Sequence, residues 1–286
     1  MTWFFLTLLS AVAWSSADAL SKWISEDISD FTNVWIRFLY GTPIFLLLWF
    51  GIDIPQLDQT FWIAIALVIP LEVLTWILYL RAIRLSPLSL TIPFLGLTPA
   101  FLLIVPWILL GETVTVIGGI GVLTIAAGIY ILNIRTSGKG FLEPFGAIRH
   151  EPGSLLMIAV AILFSITSTL GKMAIVHSSP LFFAGCYYPV IGLLLAPYAL
   201  SQSNVRSEAF SHPGRAALIG LAFAVMAVAH FYAIEIAKVA YMIAVKRTSL
   251  VFSSLLGFLF FREKDIRARL TGAVIIVVGV FLVVMG

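Results

Sequence analysis

Two adjacent cations, Lys246 and Arg247, stand inside the apolar stretch Tyr241–Glu263. A cation at membrane depth costs roughly 3–15 kcal/mol. Arg offers a planar donor fork that fits phosphate or carboxylate, and Lys a point charge. The chemistry this pair suits is binding an anionic group. The other ionisable residues within apolar runs are Asp18, Lys22, Arg37, Glu72, Lys172 and His230. Lys22, Arg37, Lys172, Lys246 and Arg247 outnumber Asp18 and Glu72, so an anionic solute would help to balance them. Glu72 sits in PLEVLTWILY, where a desolvated carboxylate can carry a proton for coupling unless a nearby cation holds it ionised. Asp18 is a second coupling candidate.

Each of these residues has a plainer reading. Lys246 and Arg247 can snorkel from a helix start near Val239, about 11 Å away. Lys22 and Lys172 can reach a helix end or bond carbonyls. Asp18 and Lys22 are one turn apart and can neutralise each other. Arg37 can reach the interface or pair with Asp18 or Glu72, and Glu72 can pair with Arg37 or Lys246. Trp14 and Trp76 can line a cavity or act as packing and interface anchors.

These side chains belong to a chain of 286 residues that is 61% hydrophobic and only 11% charged. Its mean hydropathy is +1.08. Soluble domains are about a quarter charged, so the composition is that of an integral membrane protein. The net charge of +3 lies mainly in loops, and no basic stripe suggests nucleic acid. Cys186 is the single cysteine, which excludes an internal disulfide. The first apolar run lacks a basic leader and is long enough to span, so no cleavable signal peptide is expected. No metal-spaced His/Cys cluster, phosphate loop or GxSxG motif is present, so neither an enzyme nor a cofactor is expected.

A spanning helix needs about 20 mostly apolar residues. Ten candidates run over 3–24, 32–50, 60–82, 87–110, 114–133, 153–175, 180–200, 214–236, 239–261 and 267–285. The polar stretch 134–152 reads as a linker between a first unit, 1–133, and a second, 153–286. The halves resemble each other. AVAWSSADALSKW at 11–23 matches AILFSITSTLGKM at 161–173, placing Lys22 over Lys172. Later the offset is 151 residues: Ala82 falls on Ala233, Glu112 on Glu263, Gly121 on Gly272 and Gly128 on Gly279. Five helices per unit force the second unit into the membrane upside down, an inverted repeat with its site near the midplane. Lys246 and Arg247 fall on Leu95 and Gly96, so the shared scaffold does not require them. Pro93, Pro99 and Pro106 predict a bent fourth helix, a hinge or gate. Gly118, Gly119, Gly121 and Gly128 suit close helix packing.

These features resemble the drug/metabolite transporter superfamily in its ten-helix EamA-like branch. The resemblance rests on Lys22 and Lys172, on Tyr79 to Ala82 and Tyr232-Ala233, on Gly111-Glu112 and Arg262-Glu263, and on the Gly-rich fifth and tenth helices. It implies an all-α membrane protein with two bundled five-helix units around a central cavity, working by alternating access. It implies no substrate. Lys246-Arg247 also resembles a Lys-Arg pair on the ninth helix of phosphosugar and nucleotide-sugar transporters in that superfamily, which implies contact with phosphate.

Depth supplies companions for the pair. Measured from the face that holds the even-numbered connections, Lys246 and Arg247 are about seven residues deep, Tyr187 and Tyr188 about eight, His230 about six and Lys172 about three. Neighbouring tyrosines lie about 100° apart on a helix, so one of the two points away from any shared cavity. The expected function is secondary transport of a small polar metabolite bearing phosphate or carboxylate. The alternatives are a proton-coupled exporter of amino acids or cationic drugs using Glu72 or Asp18, and a non-transporting scaffold. The expected partners are a small-molecule substrate and the lipid bilayer, with a monomer or homodimer in the cell membrane. Lys and Arg crowd the odd-numbered connections, with Lys238 on the even side, which predicts odd connections in the cytoplasm and both termini outside. The resemblance implies termini inside.

Overall fold

The computed structural model describes residues 1–24, 27–86, 91–137, 151–261 and 266–286. Most of the 134–152 linker lies outside the described residues, as do Arg262 and Glu263. The described chain is helical, with no strand among the described residues. Its helices are α1 (Thr2–Lys22), α2 (Asp30–Leu47), α3 (Gln59–Leu85), α4 (Thr98–Phe101), α5 (Val105–Leu110), α6 (Val116–Ser137), α7 (Pro152–Val176), α8 (Pro180–Ser201), α9 (Ser203–Ala209), α10 (Pro213–Ile236), α11 (Val239–Lys246), α12 (Ser249–Phe261) and α13 (Ile266–Met285). Among the described residues nine helical stretches are long and apolar enough to cross a membrane, and the tenth shows the apolar segment Leu270–Met285. In hydrocarbon a backbone must satisfy its own polar groups, so these apolar sequences have no alternative to helix. The entries are marked by caps. Ser29 and Ser179 accept the N–H of Thr32 and Phe182, and Asp58 accepts the N–H of Phe61 at 2.9 Å.

The helices gather into two compact units that cut across the sequence repeats. One unit holds Met1–Val73 and Lys172–Ile236, the other Leu74–Gly171 and Ala237–Gly286. In the first, α1 packs along α10, and α2 lies against α8 and α10. Ser10 donates to the Met226 carbonyl and the Trp35 indole to the Gly192 carbonyl. Aromatic rings fill its interior: Phe38, Phe45, Tyr188, Phe223, Phe231 and Phe183 form a continuous series of edge-to-face, tilted and stacked pairs.

In the second unit α6 and α13 form the longest seam. A Cβ on Gly121 would lie 2.8 Å from the Gly279 carbonyl, and one on Gly272 2.8 Å from the Gly128 carbonyl. Gly121 therefore meets Gly279 and Gly128 meets Gly272, an antiparallel register. The repeat offset equates Gly121 with Gly272 and Gly128 with Gly279. Each glycine thus contacts the counterpart of its neighbour, which is what a two-fold relation demands. Two equivalent helices that meet head to tail belong to repeats inserted in opposite senses.

The fourth and ninth spans are both broken. The fourth is a 3-10 segment, Ile92–Leu97, followed by α4 and α5. Each piece carries its own proline in the first turn: Pro93, Pro99 and Pro106. The ninth breaks without proline between α11 and α12. There Arg247 N–H donates to Ala244 O at 3.1 Å, Thr248 N–H to Val245 O at 3.0 Å, and Leu250 N–H to Arg247 O at 3.0 Å. These three-residue steps are a 3-10 turn. The second pieces begin at Thr98 and Ser249, which the 151-residue offset superposes. The discontinuity belongs to the repeat, and the cations were placed on it in the second half alone.

Candidate functional site

In the second unit the break presents Lys246 as the last residue of α11 and Arg247 as its C-cap. The start of α11 is anchored. Glu112 accepts the Val239 N–H at 2.8 Å, capping the helix. The Tyr241 hydroxyl accepts the Thr115 N–H at 3.0 Å and shares a hydrogen bond with the Thr115 hydroxyl at 3.1 Å. Gly118 leaves room for that ring, since a Cβ there would collide with the Tyr241 hydroxyl. The Lys238 ammonium lies 5.3 Å from the Tyr241 ring centre. Every residue from Val239 to Val245 is buried. A capped, buried, two-turn helix thus fixes the position of the basic pair. The Arg247 Nε is sealed from solvent and has no hydrogen-bond partner among the described residues. Trp76 also belongs to this unit, packed edge-on against Tyr79 and Phe164 with ring centres 5.9 and 6.1 Å apart.

The first unit holds the acidic candidates. Glu72 is buried on α3, 8% exposed, and the Tyr187 hydroxyl donates a hydrogen bond to its carboxylate. Tyr188 lies within range of the same charge. Tyr187 stacks on Phe183 at 4.7 Å and Tyr188 on Phe231 at 5.5 Å, and the two tyrosine rings meet each other edge-on at 5.1 Å. His230 is buried and meets Phe231 edge-on at 5.4 Å. Arg37 pairs with Asp18 at 2.9 Å, donates to the Ser21 hydroxyl at 3.2 Å and lies 5.6 Å from the Trp14 ring centre. Of the partners open to Arg37 in the sequence, the structure selects Asp18. The pairing joins α1 to α2 across a chain separation that no helical spacing rule reaches. Lys22 lies at the exposed end of α1, and Lys172 stands where α7 enters this unit.

Three polar clusters outside the spans escaped the sequence reading. Glu208, on the short helix α9, accepts from the Ser29 N–H at 3.0 Å, from the Ser29 and Thr32 hydroxyls, and from Asn204 at 2.9 Å. Partial burial pushes its carboxyl up, but the hydrogen bonds from Thr32, Ser29 and Asn204 outweigh it and hold the group below its usual value. His177 contacts Asp58 at 2.7 Å, and His212 contacts Asp27 at 2.9 Å. The Phe61 N–H, with help from His177, holds the Asp58 carboxyl low against the opposing effect of desolvation. The only sequence signal for these clusters was Ser, Asp and Glu near helix ends.

The described residues form a multi-pass helical membrane protein. Comparison with known proteins gives the particular class. The sequence profile of the EamA-like transporter family matches residues 1–134 and 151–285. The chain belongs to that family, and hence to the drug/metabolite transporter superfamily. A search of curated proteins gives no match. Among solved structures, one described as a crystal structure of a protein aligns over 98% of this chain and 98% of its own, with 20% identity and a TM-score of 0.74. That likeness concerns the fold.

Proposed function

We propose that this protein is a secondary transporter for a small polar metabolite carrying a phosphate or carboxylate, which Lys246 and Arg247 bind during alternating access. The observation that carries the reading is the position of the break in the ninth span, which falls on the two cations. Discontinuous helices at membrane depth occur where backbone lines a cavity, and transporters place their solute and ion sites at such breaks. Uptake into proteoliposomes tests it. The double variant Lys246→Ala, Arg247→Ala should lose uptake of the anionic solute, by about tenfold or more. Unchanged uptake of every anionic solute tried would remove the proposal.

A second reading, export of amino acids or cationic drugs with proton coupling, is favoured by one observation. The Glu72 carboxylate is buried and bonded by Tyr187 beside aromatic rings, a setting in which cations are attracted to ring faces. Asp18 is less suited to that role because its carboxylate holds Arg37. Transport abolished by Glu72→Gln and untouched by Lys246→Ala would favour this second reading.

A further inference from the structure

Many hydroxyls inside the spans of this protein follow a rule. Thr7, Ser15, Ser16, Thr42, Thr124 and Ser254 each donate to a carbonyl three or four residues back. That is how a hydroxyl is satisfied in a helix surrounded by hydrocarbon. Thr98 and Thr248 break the rule. Both are buried, 1% and 6% exposed, and neither hydroxyl has a hydrogen-bond partner among the described residues. A buried polar group left unmade is costly, so such an exception calls for a function.

Their positions point to one. Among the described residues, six buried side-chain polar atoms lack partners, and four of them lie on the two broken spans: those of Thr98, Arg247, Thr248 and Ser253. Thr98 opens α4 after the break in the fourth span. Thr248 lies in the break of the ninth, next to Arg247. The pieces α4 and α11 pack against each other within the second unit. The repeat explains the juxtaposition, because the two breaks occupy equivalent places. The first repeat contributes a hydroxyl donor at its break, and the second a hydroxyl and a guanidinium.

We infer that Thr98 and Thr248 are hydroxyl ligands for the anionic group that Lys246 and Arg247 attract, and that together they suit a soluble phosphoryl group. The inference rests on the anion reading proposed above. A guanidinium Nε–H and two hydroxyls are separate donors, and each can serve a different oxygen. A phosphoryl group offers three such oxygens, whereas a carboxylate offers two. The hydroxyls make the site selective between the two anions and leave its charge unaltered.

The test uses the purified full chain in a neutral detergent. Binding of inorganic phosphate and of succinate is measured by calorimetry, and phosphatidic acid is assayed in parallel. Thr98→Val and Thr248→Val remove each hydroxyl at constant shape. Each is expected to weaken phosphate binding about fivefold to tenfold and succinate binding less. Thr98→Ser should restore it. Thermal stability gives a second readout. Removing a buried hydroxyl that bonds nothing in the protein should leave the melting temperature unchanged or raise it, whereas removing a structural hydroxyl lowers it. Phosphate binding unchanged in both valine variants, but lost in Arg247→Gln, overturns the inference and leaves the anion reading standing. Wild-type protein that binds neither phosphate nor succinate overturns both. Binding of phosphatidic acid alone also overturns the inference, since the group would then belong to a lipid.

Discussion

Asp18 and Glu208 show how differently single acidic residues are used in this protein. Asp18 lies within the first span and holds Arg37, which also rests on Ser21 and Trp14. Arg37→Gln removes an ion-pair partner of a carboxylate that is only about one-third exposed, 36%. Loss of stability of about 1–3 kcal/mol is expected, below the cost for a fully buried pair because solvent reaches Asp18. The double variant Asp18→Asn, Arg37→Gln should recover part of that loss in thermal unfolding. A double variant less stable than either single one would contradict the pairing. Glu208 is tied to the entry of α2 by Ser29 and Thr32. Its carboxyl is held low in the folded state, so its contribution is complete above the ordinary value of 4.5 and is lost as pH falls through the lower folded value. Glu208→Gln should cost about 1 kcal/mol near neutral pH. The difference from wild type should close on acidification below pH 4.5. A difference that stays constant across this range would show that the charge is not what matters. The sequence announced these acids and offered Arg37 among the possible partners of Asp18, but it did not single that pairing out, and it gave no partner for Glu208. Asp18 had Lys22 one turn away as the obvious mate, and only tertiary packing brings Arg37 from the next helix.

At the scale of the helices, glycine decides where two backbones touch. A Cβ on Gly121, Gly128, Gly272 or Gly279 would come within 3.0 Å of the facing backbone, whereas one on Gly119 would meet only Val114, at 3.6 Å. Alanine at any of the first four should therefore cost about 1–3 kcal/mol through overpacking. Alanine at Gly119 should be neutral or slightly stabilising, since it also stiffens the unfolded chain. Unfolding of the five single variants in detergent measures this, and equal damage at Gly119 and Gly128 would refute the seam. Sequence pattern marked all these glycines alike. It could not separate Gly119, where a Cβ would make only an ordinary contact with Val114, from Gly118, which receives the Tyr241 ring. The breaks divide in the same way. Three prolines announced the fourth-span break, but VKRTS in the ninth carries no helix-breaking residue. Its break was legible only through the repeat: a discontinuity in one half predicts one at the equivalent place in the other. Thr98 and Thr248 escaped the reading because a threonine in an apolar run normally bonds its own helix, and only the fold reveals an exception.

For the whole molecule, the composition already required a membrane protein, and the near-constant offset pointed to two repeats. The compact units were not legible, because each is assembled from helices of both repeats. Chain connectivity nevertheless makes a strict prediction for the first unit. Asp27 and His212 pair at one end of its helices, beside the Glu208 cluster, and Asp58 and His177 pair at the other. The single span of α2 separates Asp27 from Asp58, so the two pairs must label from opposite sides of the membrane. Cys186→Ala provides a background free of thiols, into which cysteine is placed at 27, 58, 177 or 212. An impermeant maleimide on intact cells should reach 58 and 177 together, or 27 and 212 together, but never 27 with 58. The excess of Lys and Arg in the odd-numbered connections selects the first outcome, with 58 and 177 outside and a reporter fused after Gly286 active outside as well. Labelling of 27 and 212 instead would reverse the orientation and keep the fold, and it would mean that Arg81 and Arg84, which end α3, anchor a helix rather than vote on topology. Labelling of 27 and 58 from the same side would break the inverted repeat itself, because an odd number of crossings per half is what turns the second half over.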